Sequence, residues 1–242
     1  MNILVYGNWR TGTNLLIDIF MNMGFFDFNE YYSLTGAGKL YALSADAWAV
    51  KESNDYLLTM LAPPRDRLSI LKVNFPHVRF PSSEVLSKFD TKILIYRADF
   101  LQTVLSRIVA EDRLSWHNIG GVGQPPYSKS IDINTVSVGI MSLHRQTEKF
   151  MDNRHSLNIN HVVNYESDLI PYIKLNGSRH YPSDNYSILN LEEIEDWYEN
   201  SPLKKTSTTF KEHFDDLKIK TNTNTFTEFV ETIKNKALNE NK

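Results

Sequence analysis

At 242 residues, 41% hydrophobic and 12% aromatic, with a net charge of −3, the chain carries enough apolar material for a sizeable core and no global attraction for nucleic acid or an anionic membrane. It has no cysteine, which excludes disulfides, thiolate zinc sites and thiol nucleophiles together. No run approaches the roughly 18 apolar residues of a membrane-spanning helix, and the first apolar run begins at Ile3, so a cytoplasmic location is expected. The glycosylation sequons at Asn176 and Asn185 are then chance matches.

The chain opens on NILVYG, a short apolar run closed by Gly7, which reads as a buried strand. Leu15, Leu16, Ile19, Phe20 and Met23 then recur at helical spacing until Gly24 stops them. An irregular aromatic section holds FNEYYS and TGAGKLYAL, and residues 46–61 read as a helix ahead of Pro63 and Pro64. LSILKVNF and TKILIYR read as two more buried strands. The second leads into a helix with Leu101, Val104, Leu105, Ile108 and Val109 on one face. A loop rich in glycine and proline, Gly120 to Pro126, precedes a helical stretch near 131–151. NINHVVNY is a further strand. Phe226, Phe229, Val230 and Ile233 mark a last amphipathic helix, with the terminal LNENK expected to fray. Strands alternating with helices, without internal repeat or clear linker, predict an α/β fold: a central parallel sheet flanked by helices, in a single domain over residues 1–242.

Between the first strand and helix lies YGNWRTGTNLL. Gly7 and Gly12 have the spacing of a phosphate-cradling P-loop. In such a strand–loop–helix unit the loop amides and the helix N-terminus converge on one spot and carry partial positive charge. Glycines that merely permit a tight turn give the same spacing. Where a P-loop NTPase needs its lysine there is Thr13, and Asn14 replaces the hydroxyl that binds magnesium. The nearest strong cation is Arg10. The seven histidines show no metal-binding spacing and read as surface or packing residues, so no metal is expected.

WRTGTNLL resembles the 5′-phosphosulfate-binding loop of sulfotransferases that use 3′-phosphoadenosine 5′-phosphosulfate (PAPS), in which Lys or Arg precedes Ser/Thr-Gly-Thr/Ser-Thr. Asn14 departs from the usual Thr. ILIYRADFLQTVLSR is similar to the family's 3′-phosphate site, with Arg97 at a strand end and Ser106 on the next helix. Their separation of nine, where many members have eight, and Asp99 both resemble the bacterial branch that sulfates trehalose. VVNYESDL is similar to a Tyr-Glu-x-Leu segment with one extra residue before Leu169; Tyr165 and Glu166 read as structural. LKKTSTTFKEHFDDL resembles a segment that closes over the cofactor in bacterial members. Lys204 and Lys205 would then either approach the 3′-phosphate or form a solvated face.

The resemblance implies metal-independent transfer of a sulfuryl group from PAPS to the hydroxyl or amine of a small-molecule or carbohydrate acceptor. In that reading Arg10 stabilises charge on the bridging and leaving oxygens. Amides from Thr11, Gly12, Thr13 and Asn14 hold the phosphosulfate, Lys72 neutralises the transferring group, and Arg97 and Ser106 hold the 3′-phosphate. KVNFP stands where many members carry Lys-Thr-His-Leu-Pro, and Asn74 in the histidine's place is no base at neutral pH. Other branches use a glutamate after the first helix, which points to Glu30 in FNEYYS. His77, Glu52 and Asp55 are secondary candidates. Tyr31, Tyr32, Tyr41, Trp48, Trp116 and Tyr127 are candidate walls of an acceptor pocket. Two alternatives stand beside this reading: a P-loop kinase or NTPase, and a non-catalytic nucleotide-binding protein of the same fold.

Overall fold

Ile3, Leu4, Val5 and Tyr6 are fully buried in strand β1 (Asn2–Asn8), as a strand must be when helices cover both faces of its sheet. The computed structural model describes residues 1–8, 10–27, 68–75, 82–113, 127–176 and 186–240. β1 is the middle strand of a five-stranded parallel sheet. The others are β2 (Phe26–Asp27), β3 (Ser69–Phe75), β4 (Thr91–Tyr96) and β6 (His161–Asn164), in the spatial order β2-β3-β1-β4-β6. The expected α/β fold with a central parallel sheet and an N-terminal strand–loop–helix is therefore the observed one. β5 (Tyr127–Lys129) and β7 (Tyr186–Ile188) form a separate two-stranded parallel pair, too short for alternation to announce in the sequence.

Strand side chains alternate between faces, so one sheet supplies two cores. Ile3, Val5, Ile70, Ile93, Ile95 and Val163 meet α1 (Thr13–Met21) through Leu16, Ile17 and Phe20, and α8 (Phe226–Glu240) through Phe226, Val230, Ile233 and Ala237. Leu4, Tyr6, Leu71, Val73, Leu94, Tyr96 and Val162 meet α2 (Ser83–Ser87), α3 (Phe100–Asp112), α4 (Ile133–Leu157) and α7 (Pro202–Thr221) on the opposite face. A π-helical turn, Tyr165–Leu169, follows β6 and continues as α5 (Ile170–Asn176); α6 spans Leu191–Glu199.

Polar side chains end the helices as their chemistry suggests. Asp99 accepts from Gln102 N (2.8 Å) at the start of α3, and Asp132 accepts from Thr135 N (3.3 Å) at the start of α4. Ser201 caps α7, whose first residue is Pro202. Fraying over LNENK is corrected in part: α8 continues through Glu240, because Ala237, 2% exposed, seats its last full turn on the sheet. Side chains close the outer edge of β6, where Asn164 N donates to Asp168 Oδ2 (2.8 Å). Asn222 Oδ1 accepts from Val162 N (2.8 Å), and its Nδ2 donates to Val162 O (2.7 Å), as a neighbouring strand would. Among the described residues no helix is long and apolar enough to cross a membrane.

Candidate functional site

The chain leaves β1 for β2 and β3 on one side, then crosses over to β4 and β6 on the other. Such a reversal opens a crevice at the carboxyl ends of the two diverging strands, where α/β proteins hold their ligands. Here the crevice collects the segments after β1, β4 and β6, with β3 beside them.

The loop after β1 bends through two left-handed residues, Arg10 (φ 60°) and Gly12 (φ 85°). A Cβ at Gly12 would lie 2.5 Å from the Tyr165 ring, and one at Gly7 would lie 2.5 Å from Thr13 Cγ2. Close approach thus requires glycine at both positions, and the left-handed turn requires it at Gly12. Thr11, 4% exposed, donates through Oγ1 to Asn8 O (2.7 Å) and braces the bend. Gly12 begins α1 without any side-chain cap. The first-turn N–H groups of α1 have no acceptor within the helix, so their partial positive charge is presented at the crevice.

Three cationic side chains are brought to this region by different elements. Arg10, held in the unusual left-handed conformation, donates through Nε to Ser106 Oγ on α3 (3.0 Å). Lys72, 5% exposed on β3, donates through Nζ to Asn14 Oδ1 in the first turn of α1 (2.6 Å). Arg97, just past the end of β4, lies with Cζ 4.8 Å from the centre of the Tyr165 ring, and its Nε meets Glu166 Oε1 at 3.2 Å. Glu166 also accepts from Ala98 N (2.9 Å) and Asp99 N (3.4 Å), which pins the start of α3 to the end of β6. Among the described residues the terminal nitrogens of Arg97 make no hydrogen bond, and its side chain is 17% exposed. A half-buried guanidinium fixed through Nε keeps its outer donors available for an anion.

The structure adds detail to several sequence expectations. Of the two residues read as a 3′-phosphate site, Ser106 bonds Arg10 and Arg97 pairs with Glu166, while Asp99 caps α3. Tyr165 and Glu166 brace the loop and Arg97. Lys204 is held by Glu199 and lies 5.2 Å from the Tyr198 ring, and Lys205 is exposed, so the reading of a solvated face fits this pair. Tyr127 is a core residue. Its hydroxyl donates to Asp112 Oδ2 (3.1 Å), and burial together with that bond pushes its pKa up to about 12. His144 and His161 are buried packing residues. Asn74 lies in β3 with its backbone in register with Gly7. Trp9, Glu30, Tyr31, Tyr32, Tyr41, Trp48, Glu52, Asp55, His77 and Trp116 lie outside the described residues.

A small cavity beside the loop was not legible in the sequence. It is lined by Asn8, Thr11, Tyr96, Arg97, Phe100 and Phe214, so α7 contributes a wall. Tyr96 stacks on Phe214 with ring centres 4.8 Å apart and donates its hydroxyl to Asp215, which also takes Lys211 Nζ at 2.6 Å. Burial first, then the Asp215 bond, raises the Tyr96 pKa well above that of a free phenol, so this hydroxyl stays protonated. Phe210 and Phe214, one helical turn apart, were the available signal. Scanned against protein-family models the chain matches none, and a search of curated proteins likewise finds no match.

Proposed function

We propose that this protein is a PAPS-dependent sulfotransferase, acting in the cytoplasm on a hydroxyl or amine of a small-molecule or carbohydrate acceptor. The observation that carries the reading is the convergence of an uncapped helix start with Arg10, Lys72 and Arg97 at one crevice, on a loop that has Thr13 and Asn14 in place of the lysine and hydroxyl of a nucleotide-hydrolysing P-loop. The donor bears a 5′-phosphosulfate and a 3′-phosphate. The loop amides and Arg10 fit the first, and the open nitrogens of Arg97 fit the second.

In the transfer the acceptor oxygen attacks sulfur in line with the S–O bond to the 5′-phosphate. That bond breaks, and its electron pair stays on the phosphate oxygen, giving the sulfated acceptor and 3′,5′-adenosine bisphosphate. Arg10 would stabilise the charge growing on the leaving oxygen, and Lys72 the transferring sulfuryl group. Glu30 would take the acceptor's proton. Ser106 would hold the Arg10 guanidinium toward the crevice against the left-handed backbone that carries it.

Nucleotide binding tests this directly. Calorimetry should show tighter binding of 3′,5′-adenosine bisphosphate than of AMP, and Arg97→Ala should erase that difference while leaving AMP affinity nearly unchanged. Loss of a desolvated charge-assisted contact costs about 2–5 kcal/mol. Equal affinity for the two nucleotides in the native chain would reject the assignment.

The Gly7–Gly12 spacing also supports a second reading, magnesium-dependent phosphoryl transfer by a kinase or NTPase. Chelation separates the two. Sulfuryl transfer from PAPS should continue in excess EDTA, whereas ATP turnover that stops with EDTA and returns with magnesium would favour the second. A chain that binds 3′,5′-adenosine bisphosphate and transfers nothing is the non-catalytic alternative.

A further inference from the structure

The chain passes from β6 into α5 through one wide helical turn, Tyr165–Leu169, in which Ile170 N donates to Tyr165 O, five residues back. Such π turns hold one residue more than an α-helical turn and are frequent at functional sites. Here the extra residue is held because both ends of the turn are fixed. Leu169 is fully buried in the core beside α1, and Ile173, one turn later in α5, is buried with it. Asn164 caps the other end, its Oδ1 accepting from Glu166 N and Ser167 N, both at 2.9 Å.

In a capping box the side chain that answers the cap stands three residues beyond it. In this wider turn it stands four beyond, since Asp168 Oδ2 accepts from Asn164 N at 2.8 Å. Asp168 is held in turn by α7, where Lys218 Nζ lies 2.6 Å from its carboxylate. The two side chains are 14% and 26% exposed, so removing either leaves a partly desolvated charge. The box fixes Tyr165 and Glu166. Tyr165 lies against Gly12 of the loop, and its ring centre is 4.8 Å from Arg97 Cζ. Glu166 meets Arg97 Nε at 3.2 Å. One turn thus touches both the glycine loop after β1 and the arginine after β4.

We propose that the π turn is a spacer that sets Arg97 at a fixed distance from the loop, with Asp168 and Lys218 as its positioning residues. The ligand so selected is a nucleotide phosphorylated at both its 5′ and 3′ positions. Two anionic groups at a set separation need two donor-bearing elements at a matching one. Asp168 and Lys218 act through Glu166 and Arg97 rather than by contact with the nucleotide. The proposal rests on the loop and Arg97 binding the nucleotide, as in the function proposed above.

The test is calorimetry on the full chain with 3′,5′-adenosine bisphosphate and AMP as probes. The native chain should prefer the bisphosphate. Asp168→Asn keeps the size and an acceptor for Asn164 N but loses the charge that holds Lys218. It should reduce that preference about tenfold, with AMP affinity little changed. Lys218→Met alters the more exposed partner, should do the same, and gives an independent reading should Asp168→Asn not fold. Lys218→Arg should keep the preference. In an Arg97→Ala background both substitutions should leave bisphosphate affinity unchanged, whereas a general loosening of the site would still weaken it. If the native chain binds both probes equally, or neither, the nucleotide-site reading fails and this proposal with it. An undiminished preference in the folded variants overturns the positioning role alone. So does an equal loss for AMP, or a further loss in the Arg97→Ala background.

Discussion

Lowering the pH from about 7 to about 4 is expected to remove on the order of 5 kcal/mol of folding stability, most of it through two histidines. His144 is 8% exposed, shares a 2.8 Å hydrogen bond with Ser207 Oγ on α7, and has its ring 5.5 Å from those of Phe100 and Phe210. His161 is 3% exposed and stacks on Phe229 of α8 at 3.8 Å. Burial brings the pKa of each down to about 4 from an ordinary 6.5; at His161, Asp168 opposes the shift and Lys218 adds to it. Both are therefore neutral when folded, while the unfolded chain takes up protons below about pH 6.5. The stability they contribute is complete above that pH, falls between about 6.5 and 4, and levels off below, where both states are protonated. Asp215 does not share this window. Burial would raise its pKa, but hydrogen bonds from Lys211 and Tyr96 outweigh burial and lower it, so its contribution is lost only at stronger acidity.

A loss of that size matters against the roughly 5–15 kcal/mol typical of a folded domain. Urea unfolding followed by tryptophan fluorescence at several pH values measures it. A His161→Phe variant keeps a ring on Phe229 without a titrating group, and should show about half the pH slope of the native chain. A stability that stays level from pH 7 to 4 would contradict the account. Because both histidines hold α7 and α8, and Phe214 of α7 walls the cavity beside Arg97, nucleotide binding should weaken over the same range.

The second large effect concerns rate. Under the proposed sulfuryl transfer, Glu30→Gln should lower turnover by about 10²–10⁴-fold, the usual cost of losing a general base. Glutamine keeps the shape and some hydrogen bonding of Glu30 and loses only its basicity. Nucleotide affinity should barely move, because the proton belongs to the acceptor and the phosphates are assigned to Arg10, Arg97 and the loop amides. His77→Ala is the comparison, since KVNFP resembles a sulfotransferase segment that carries a histidine where Asn74 stands, and His77 is the nearest substitute in sequence. It should reduce turnover only slightly. A Glu30→Gln chain with most of its turnover, beside an inactive His77→Ala chain that binds nucleotide normally, would reverse the two roles.

Local pattern alone determined much of this molecule. The continuous apolar runs of β1, β3 and β4, the 3.6-residue stripe of α1 and the glycines Gly7 and Gly12 specify a parallel sheet with a tight strand–loop–helix at its start, because each feature reports the burial of its own backbone neighbourhood. The pairing of the cations was decided only in three dimensions. Arg10 meets Ser106 across 96 residues, Lys72 meets Asn14 across 58, and Arg97 meets Glu166 across 69. Periodicity says which face of an element is buried; it does not say which strand will lie beside which. Once the order β2-β3-β1-β4-β6 put β3 and β4 on either side of β1, Lys72, which the resemblance had assigned to the site, came to lie beside Asn14 at the start of α1. The same order gave the arginine after β4 a partner on the π-helical turn after β6.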